Sequence, residues 1–140
     1  MPNTLFTNVQ IFDGTGPKLR LGEVIVQGNR IHAIEVGSGK LPRDGATLID
    51  GGGATLMPGL CSTHNHLSYN NGRSTAELAS LPNEEHVLLC SYNAKLLLDC
   101  GFTAVIGAAS AKPRLDIVIR NEINAGRLEG PRMRAATPEF

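Results

Sequence analysis

The chain has 140 residues, with 13 basic and 13 acidic side chains that cancel. No global field therefore draws it to nucleic acid or to an anionic membrane, and no apolar run reaches the ~18 residues of a transmembrane helix. At roughly 150 residues per domain the length suits about one domain, well short of the roughly 250 residues of a complete (β/α)8 barrel.

Glycine fills 16 positions and hydrophobic residues make up 41%, a turn-rich but foldable composition. Met1–Thr7 has no basic stretch followed by an apolar run, so no secretory signal is expected. Cys61, Cys90 and Cys100 are odd in number and lack CxxC spacing. Free thiols in a reducing, cytoplasmic setting are expected.

The N-terminal part reads as short strands. Leu5, Val9 and Ile11 alternate with polar neighbours up to Asp13-Gly14. Gly22–Gln27 and Arg30–Val36 flank Gly28-Asn29, a pair that tolerates positive φ, and so predict a hairpin. Leu48-Ile49 predicts a further short strand. Gly51-Gly52-Gly53 breaks the texture, and a module boundary is placed at or just after it. Domains of 1–56 and 57–140 are expected. Thr55–Leu60 then leads as an apolar strand, interrupted by Pro58-Gly59, into His64-Asn65-His66.

Beyond this point helix and strand alternate. Ser74-Thr75-Ala76-Glu77 fits a capping box on a short helix that Pro82 stops. Asn83-Glu84-Glu85 opens a longer one, with Val87, Cys90, Ala94, Leu97 and Leu98 on one face and Gly101 as its C-terminal cap. Phe102–Ile106 predicts a strand. Pro113 is placed at the start of the next helix, with a stripe of Leu115, Val118, Ile119 and Ile123 and an end at Gly126. Met133–Ala136 predicts a third strand. This β-α-β-α-β order signals parallel α/β structure.

His64 and His66 are the strongest chemical signal. Residues i and i+2 of a strand share a face, so the two imidazoles can converge on one metal ion. Taken alone, the spacing also fits a polar loop with two histidines. His32 reads as a surface strand residue. His86, in the first turn of the long helix, reads as solvated or capping. Cys61 reads as a nucleophile, a thiolate ligand or a small buried residue. Cys90 is assigned to the core and Cys100 to a structural role. Gly51–Gly53 is no phosphate loop, because neither GK[ST] nor a helix follows. Arg127, Arg132 and Arg134 read as a solvated turn.

Met57-Pro58-Gly59-Leu60 followed by His64-Asn65-His66 resembles the opening of the amidohydrolase superfamily. Asn8–Gly14 and Gly22–Ile31 resemble that family's N-terminal strands, and Gly101–Val105 its second barrel strand. Asn121–Arg132 is similar to the approach to the third strand in the imidazolonepropionase-like and dipeptidase-like branch. Ser62 stands where the family often has Asp, and Val105-Ile106-Gly107 where many relatives have V-R-D. The resemblance implies an α/β chain: about three strands of a (β/α)8 barrel after a small β module belonging to a composite β-sandwich.

It further implies metal-dependent hydrolysis of an amide, cyclic amide or dipeptide-like C–N bond in a small molecule. His64 and His66 carry over as ligands to a divalent ion, zinc above all, one or two in number, with iron, cobalt or manganese as alternatives. The family's remaining ligands, and the aspartate that handles the proton, lie on strands this sequence does not contain, so no catalytic residue is assigned within the chain. The loop after the first barrel strand, with Ser68, Tyr69 and Asn70, is expected to face substrate. The expected partners are the remainder of the barrel, from the same parent or a companion chain, and further copies in an oligomer. Glu139-Phe140 falls directly after the third strand and reads as a break within the architecture. Two other readings stand beside this one: a non-catalytic fragment that acts through a complementary chain, and a small metal-binding scaffold domain.

Overall fold

Strand β1, Asn3–Ile11, turns Leu5, Val9 and Ile11 inward. It lies antiparallel to β2, Arg20–Gln27, which is antiparallel in turn to β3, Arg30–Val36. The expected hairpin closes at Gln27↔Arg30, with Gly28 at φ 60°. On its other side β1 runs parallel first to β4, Ala46–Asp50, and then to β5, Thr55–Leu56. The computed structural model describes residues 3–136, and the reading of Glu139-Phe140 falls outside them. By internal packing the chain divides into units Met1–Pro58 and Gly59–Phe140.

A bulge in β1 lets one strand serve two parallel partners in turn. The register shifts between Phe6 and Val9, and Asn8 sits there at φ 51°, a left-handed conformation that Asn tolerates better than most residues. The glycine triplet bridges the same point. The amides of Gly51 and Gly53 donate to Thr7 O and Asn8 O, each at 2.8 Å. A Cβ on Gly51 would run into Val9 Cγ1, and Gly52 and Gly53 both take positive φ. The triplet is thus an internal joint of the first unit, carrying the chain from β4 to β5. Val9, Ile11 and Val24 form that unit's core, with Phe6 and Leu56 packed against it.

Beneath this sheet lies a fully buried carboxylate. Glu23 on β2 accepts from the amides of Gly39, Lys40 and Leu41 at 2.9, 3.1 and 3.3 Å and from Arg43 Nη2 at 2.7 Å. These donors, the Gly39 amide foremost, hold its carboxyl below the usual carboxylate range despite burial. The segment between β3 and β4 is thereby tied to the sheet.

The second unit is the expected alternation. Strands β6, Leu60–Asn65, β7, Phe102–Gly107, and β8, Arg132–Arg134, form a parallel sheet in the order β6-β7-β8. A single turn, α1, Thr75–Leu78, and a long helix, α2, Asn83–Asp99, join β6 to β7. Helix α3, Leu115–Asn124, joins β7 to β8. Cys90 and Ala94 of α2, Val105, Leu115, Ile119 and Met133 form the core with Leu67, and Val87, Leu97 and Ile123 pack against it. Gly101, at φ 88°, ends α2, and Gly126, at φ 71°, follows α3.

Two local expectations change. Ser74 Oγ accepts from the Glu77 amide at 3.3 Å, but the Glu77 carboxylate takes the Arg73 amide instead of completing the box on Ser74. Pro113 does not open α3, because Arg114 after it is left-handed at φ 70° and the helix begins at Leu115.

The cysteines separate by environment. All three are free thiols, with Cys61 and Cys100 exposed and Cys90 buried. The reading of Cys61 as a small buried residue is therefore corrected: it lies on the open side of β6. Burial first, and the charge of Asp116 second, push the Cys90 thiol up to about 12. A maleimide should label Cys61 and Cys100 in the native protein and Cys90 only in denaturant. Fast native labelling of Cys90, read by peptide mass mapping, would contradict this packing.

Candidate metal centre

His64 and His66 stand at the C-terminal end of β6. Their Nε2 atoms lie 3.2 Å apart, with ring centroids 5.0 Å apart and planes at 79°. Two nitrogens each 2.0–2.1 Å from one tetrahedral ion would be about 3.3 Å apart. The same spacing serves a hydrogen bond between neutral rings, one donating and the other accepting.

The second contact of His66 decides which of its nitrogens is free. Its Nδ1 is 3.3 Å from Ala109 O, and a carbonyl can only accept, so Nδ1 carries the proton. That leaves the Nε2 lone pair directed at His64, as in metal-bound histidines whose far nitrogen is held by a carbonyl. Tyr69 stacks on the His66 ring at 4.2 Å with planes 11° apart, which restricts the ring further. Among the described residues no group of three or more His, Cys, Asp or Glu side chains is gathered to hold a metal. A catalytic metal site uses three or more protein ligands, more than this pair alone offers.

The loop after β6 is anchored from beneath. Ser68 is fully buried. Its Oγ accepts from the Ala111 amide at 2.8 Å and lies 3.4 Å from Ser110 Oγ. Its carbonyl accepts from His86 Nε2 at 2.6 Å, and Asn93 Nδ2 donates to Leu67 O at 2.8 Å. Asn70 is turned to its own loop: Oδ1 accepts from the Gly72 amide and Nδ2 donates to Glu77 O. Of the trio assigned to substrate, Tyr69 is the member stacked on a histidine of the pair. The ends of β6 and β7 are thus fastened to each other and to α2.

His86 departs from the sequence reading. It is fully buried, neither solvated nor capping, because Ser68 O offers a partner inside the unit that water would otherwise supply. His32 is exposed on β3, as expected. Cys100 sits exposed at the C-cap of α2.

Asp116 was missed. It lies in the first turn of α3, fully buried, with Oδ2 accepting from the Ala136 amide at 3.3 Å. Burial pushes its carboxyl up, while the Ala136 amide, Ser110 and His66 act in the opposite sense. Gly107 makes room for it, since a Cβ there would approach Oδ2 to 2.8 Å. An acid in a first helical turn is ordinary, so nothing in the sequence marked this one.

No family model matches the chain. A curated 5'-deoxyadenosine deaminase from Methanothermobacter thermautotrophicus is 41% identical over 73 residues, 52% of this chain and 16% of the deaminase. The crystal structure of an amidohydrolase superposes with TM-score 0.82 at 26% identity, over 97% of this chain and 32% of that one. A Xaa-Pro dipeptidase with methionine bound in its active site gives TM-score 0.83 at 25% identity, over 99% and 34%. The chain thus spans 16% of the deaminase and about a third of each of the two solved proteins.

Proposed function

The chain belongs to the amidohydrolase superfamily, whose N-terminal part it spans, and from that premise we propose that it supplies the first half of a metal site for hydrolysing a C–N bond in a small molecule. The observation that carries this reading is the 3.2 Å separation of His64 Nε2 and His66 Nε2, with His66 Nδ1 committed to Ala109 O. Zinc suits neutral imidazole donors, and iron, cobalt or manganese can replace it. When bound, the ion supplies Lewis acidity and makes water acidic enough to lose a proton near neutral pH.

The chain's own residues hold and orient. His64 and His66 donate lone pairs, Ala109 fixes the His66 tautomer, and Tyr69 limits ring rotation. The Ser68–Ser110–His86 anchorage keeps both strand ends in place. Water adds across the C–N bond: oxygen goes to carbon, and the departing nitrogen takes a proton. The third ligand and the proton-handling group come from the remainder of a barrel, and the working protein is an oligomer. The substrate is an amide or dipeptide-like molecule, which Tyr69 faces; Ser68, expected to face it too, is instead buried as an anchor of the loop, and Asn70 is spent on hydrogen bonds within the loop. The free thiols suit a reducing cytoplasm, and no helix of the described residues is long and apolar enough to cross a membrane.

A second substrate reading is removal of an exocyclic amino group from an aminopurine, favoured by the 41% identity to the deaminase. The gene's full product, loaded with zinc, should be assayed with an Xaa-Pro dipeptide, an N-acyl amino acid and 5'-deoxyadenosine. Release of amine from the first two supports the amide reading, and ammonia from the last supports deamination. No turnover of any of them, with zinc bound, would contradict both.

A further inference from the structure

The three-stranded sheet has two unlike faces. Val105 and Met133 point into the core beneath α2 and α3. The opposite face carries His64 on β6, with His66 just beyond its end, Ile106 on β7, and Arg132 and Arg134 on β8. Their placement follows from register. Asn65 pairs with Gly107, so His64 and His66 share a side with Ile106. Ile106 pairs with Arg134, and Ala104 with Arg132. His64, Ile106 and Arg134 therefore form one cross-strand row. Burial agrees: Met133 is buried, whereas Arg132 and Arg134 on either side of it are exposed.

Neither arginine forms an ion pair among the described residues, although Arg20, Arg43 and Arg127 each do. Two like charges two residues apart on one strand face repel, and no described carboxylate lies within ion-pair distance of either. In a chain with 13 acidic and 13 basic side chains, this is a local concentration of positive charge on the β8 side of the face. Adjacent strands are ~4.8 Å apart, so the β6 and β8 backbones are separated by roughly 10 Å. A ligand a few bonds long can bridge an imidazole on one strand and a guanidinium on the other across that separation.

We propose that Arg134 is a specificity-determining residue that binds the carboxylate of the substrate, with Arg132 reinforcing the field one row behind. The substrate class is then an amide whose amine half is an amino acid with a free α-carboxylate. The chemistry of such a molecule fits the row. Its carboxylate carbon is three bonds from the scissile carbonyl carbon, so one end meets a planar guanidinium suited to bidentate carboxylate binding while the other lies over the histidines. This rests on the proposed hydrolytic reading and narrows it from any C–N bond to one with an anionic leaving half.

The test is an NMR titration of the zinc-loaded chain, reading backbone amides, the Arg Nε–H groups and the imidazole nitrogens. The probes are N-acetyl-L-alanine and its neutral amide, N-acetyl-L-alaninamide. The carboxylate probe should shift Arg134 Nε–H and bind about tenfold or more tightly than the amide, the difference expected for a charge-assisted pair. Arg134→Gln should abolish that preference without altering zinc affinity, and Arg134→Lys should restore part of it. Equal binding of the two probes, no binding of either, or an undiminished preference in Arg134→Gln would each overturn the assignment. The imidazole signals separate this from the reading beneath it. If zinc leaves His64 and His66 unmoved while the carboxylate still shifts Arg134, the metal reading fails and the anion site stands.

Discussion

Zinc affinity is expected to fall about 100-fold or more when His66 is replaced by alanine, a loss at the top of, or beyond, the 10–100-fold range typical of residues that only support ligands. His66 uses both of its nitrogens. Nε2 lies 3.2 Å from His64 Nε2, and no third His, Cys, Asp or Glu among the described residues is gathered with them. Nδ1 is spent on Ala109 O, so the donor tautomer is fixed before any ion arrives. Alanine removes the donor and leaves His64 as a single imidazole, which holds a divalent ion poorly at neutral pH. His64→Ala removes the other donor and should cost a similar factor. Tyr69→Ala leaves both donors in place but frees the His66 ring, and a loss of about tenfold or less is expected. Isothermal titration with zinc distinguishes these grades. Far-UV circular dichroism should stay unchanged, because both histidines lie at the rim of the sheet and not in its core.

The largest expected effect on stability is at Glu23. Glu23→Ala removes the acceptor of three amides and a guanidinium, and a loss of about 3 kcal/mol is expected from donors left poorly solvated. Arg43→Ala should cost only about 1 kcal/mol or less, because that guanidinium is partly exposed and the amides remain. The pH dependence has a definite sign. The carboxyl is held below its ordinary value of 4.5 in the folded chain, so the folded state binds fewer protons than the unfolded state just below pH 4.5. The stabilisation is fully present above pH 4.5 and is lost as the pH falls through the lower, folded value. Urea melts from pH 7 down to pH 3 should show this slope in the wild type and a shallower one in Glu23→Gln, since Asp13, Asp50 and Glu122 are also held below their ordinary values. A slope unchanged in the variant would mean that other carboxylates carry it.

What the sequence disclosed follows the range of the interactions involved. The hairpin at Gly28 and the end of α2 at Gly101 depend on neighbours a few residues away, and they were readable from turn chemistry and periodicity. The His64 and His66 spacing was readable because strand geometry puts i and i+2 on one side. Burial of polar groups was not. His86 sits in a helical first turn, where solvent exposure is the ordinary expectation, and only the carbonyl of Ser68 explains its place inside. Ser68 belongs to the same set, since its hydroxyl is used by Ala111 from another strand's loop. The glycine triplet shows a subtler limit. Glycines announce unusual backbone, but whether that means a boundary or an internal joint depends on the β1 bulge they cross.

The central claim is that His64 and His66 form half of a metal site. Zinc-edge X-ray absorption on the chain loaded with one equivalent of zinc tests it most directly. Two imidazole nitrogens at about 2.0–2.1 Å are expected, with one lost in His64→Ala and one lost in His66→Ala. Zinc that binds with the same imidazole count when both histidines are replaced would contradict it.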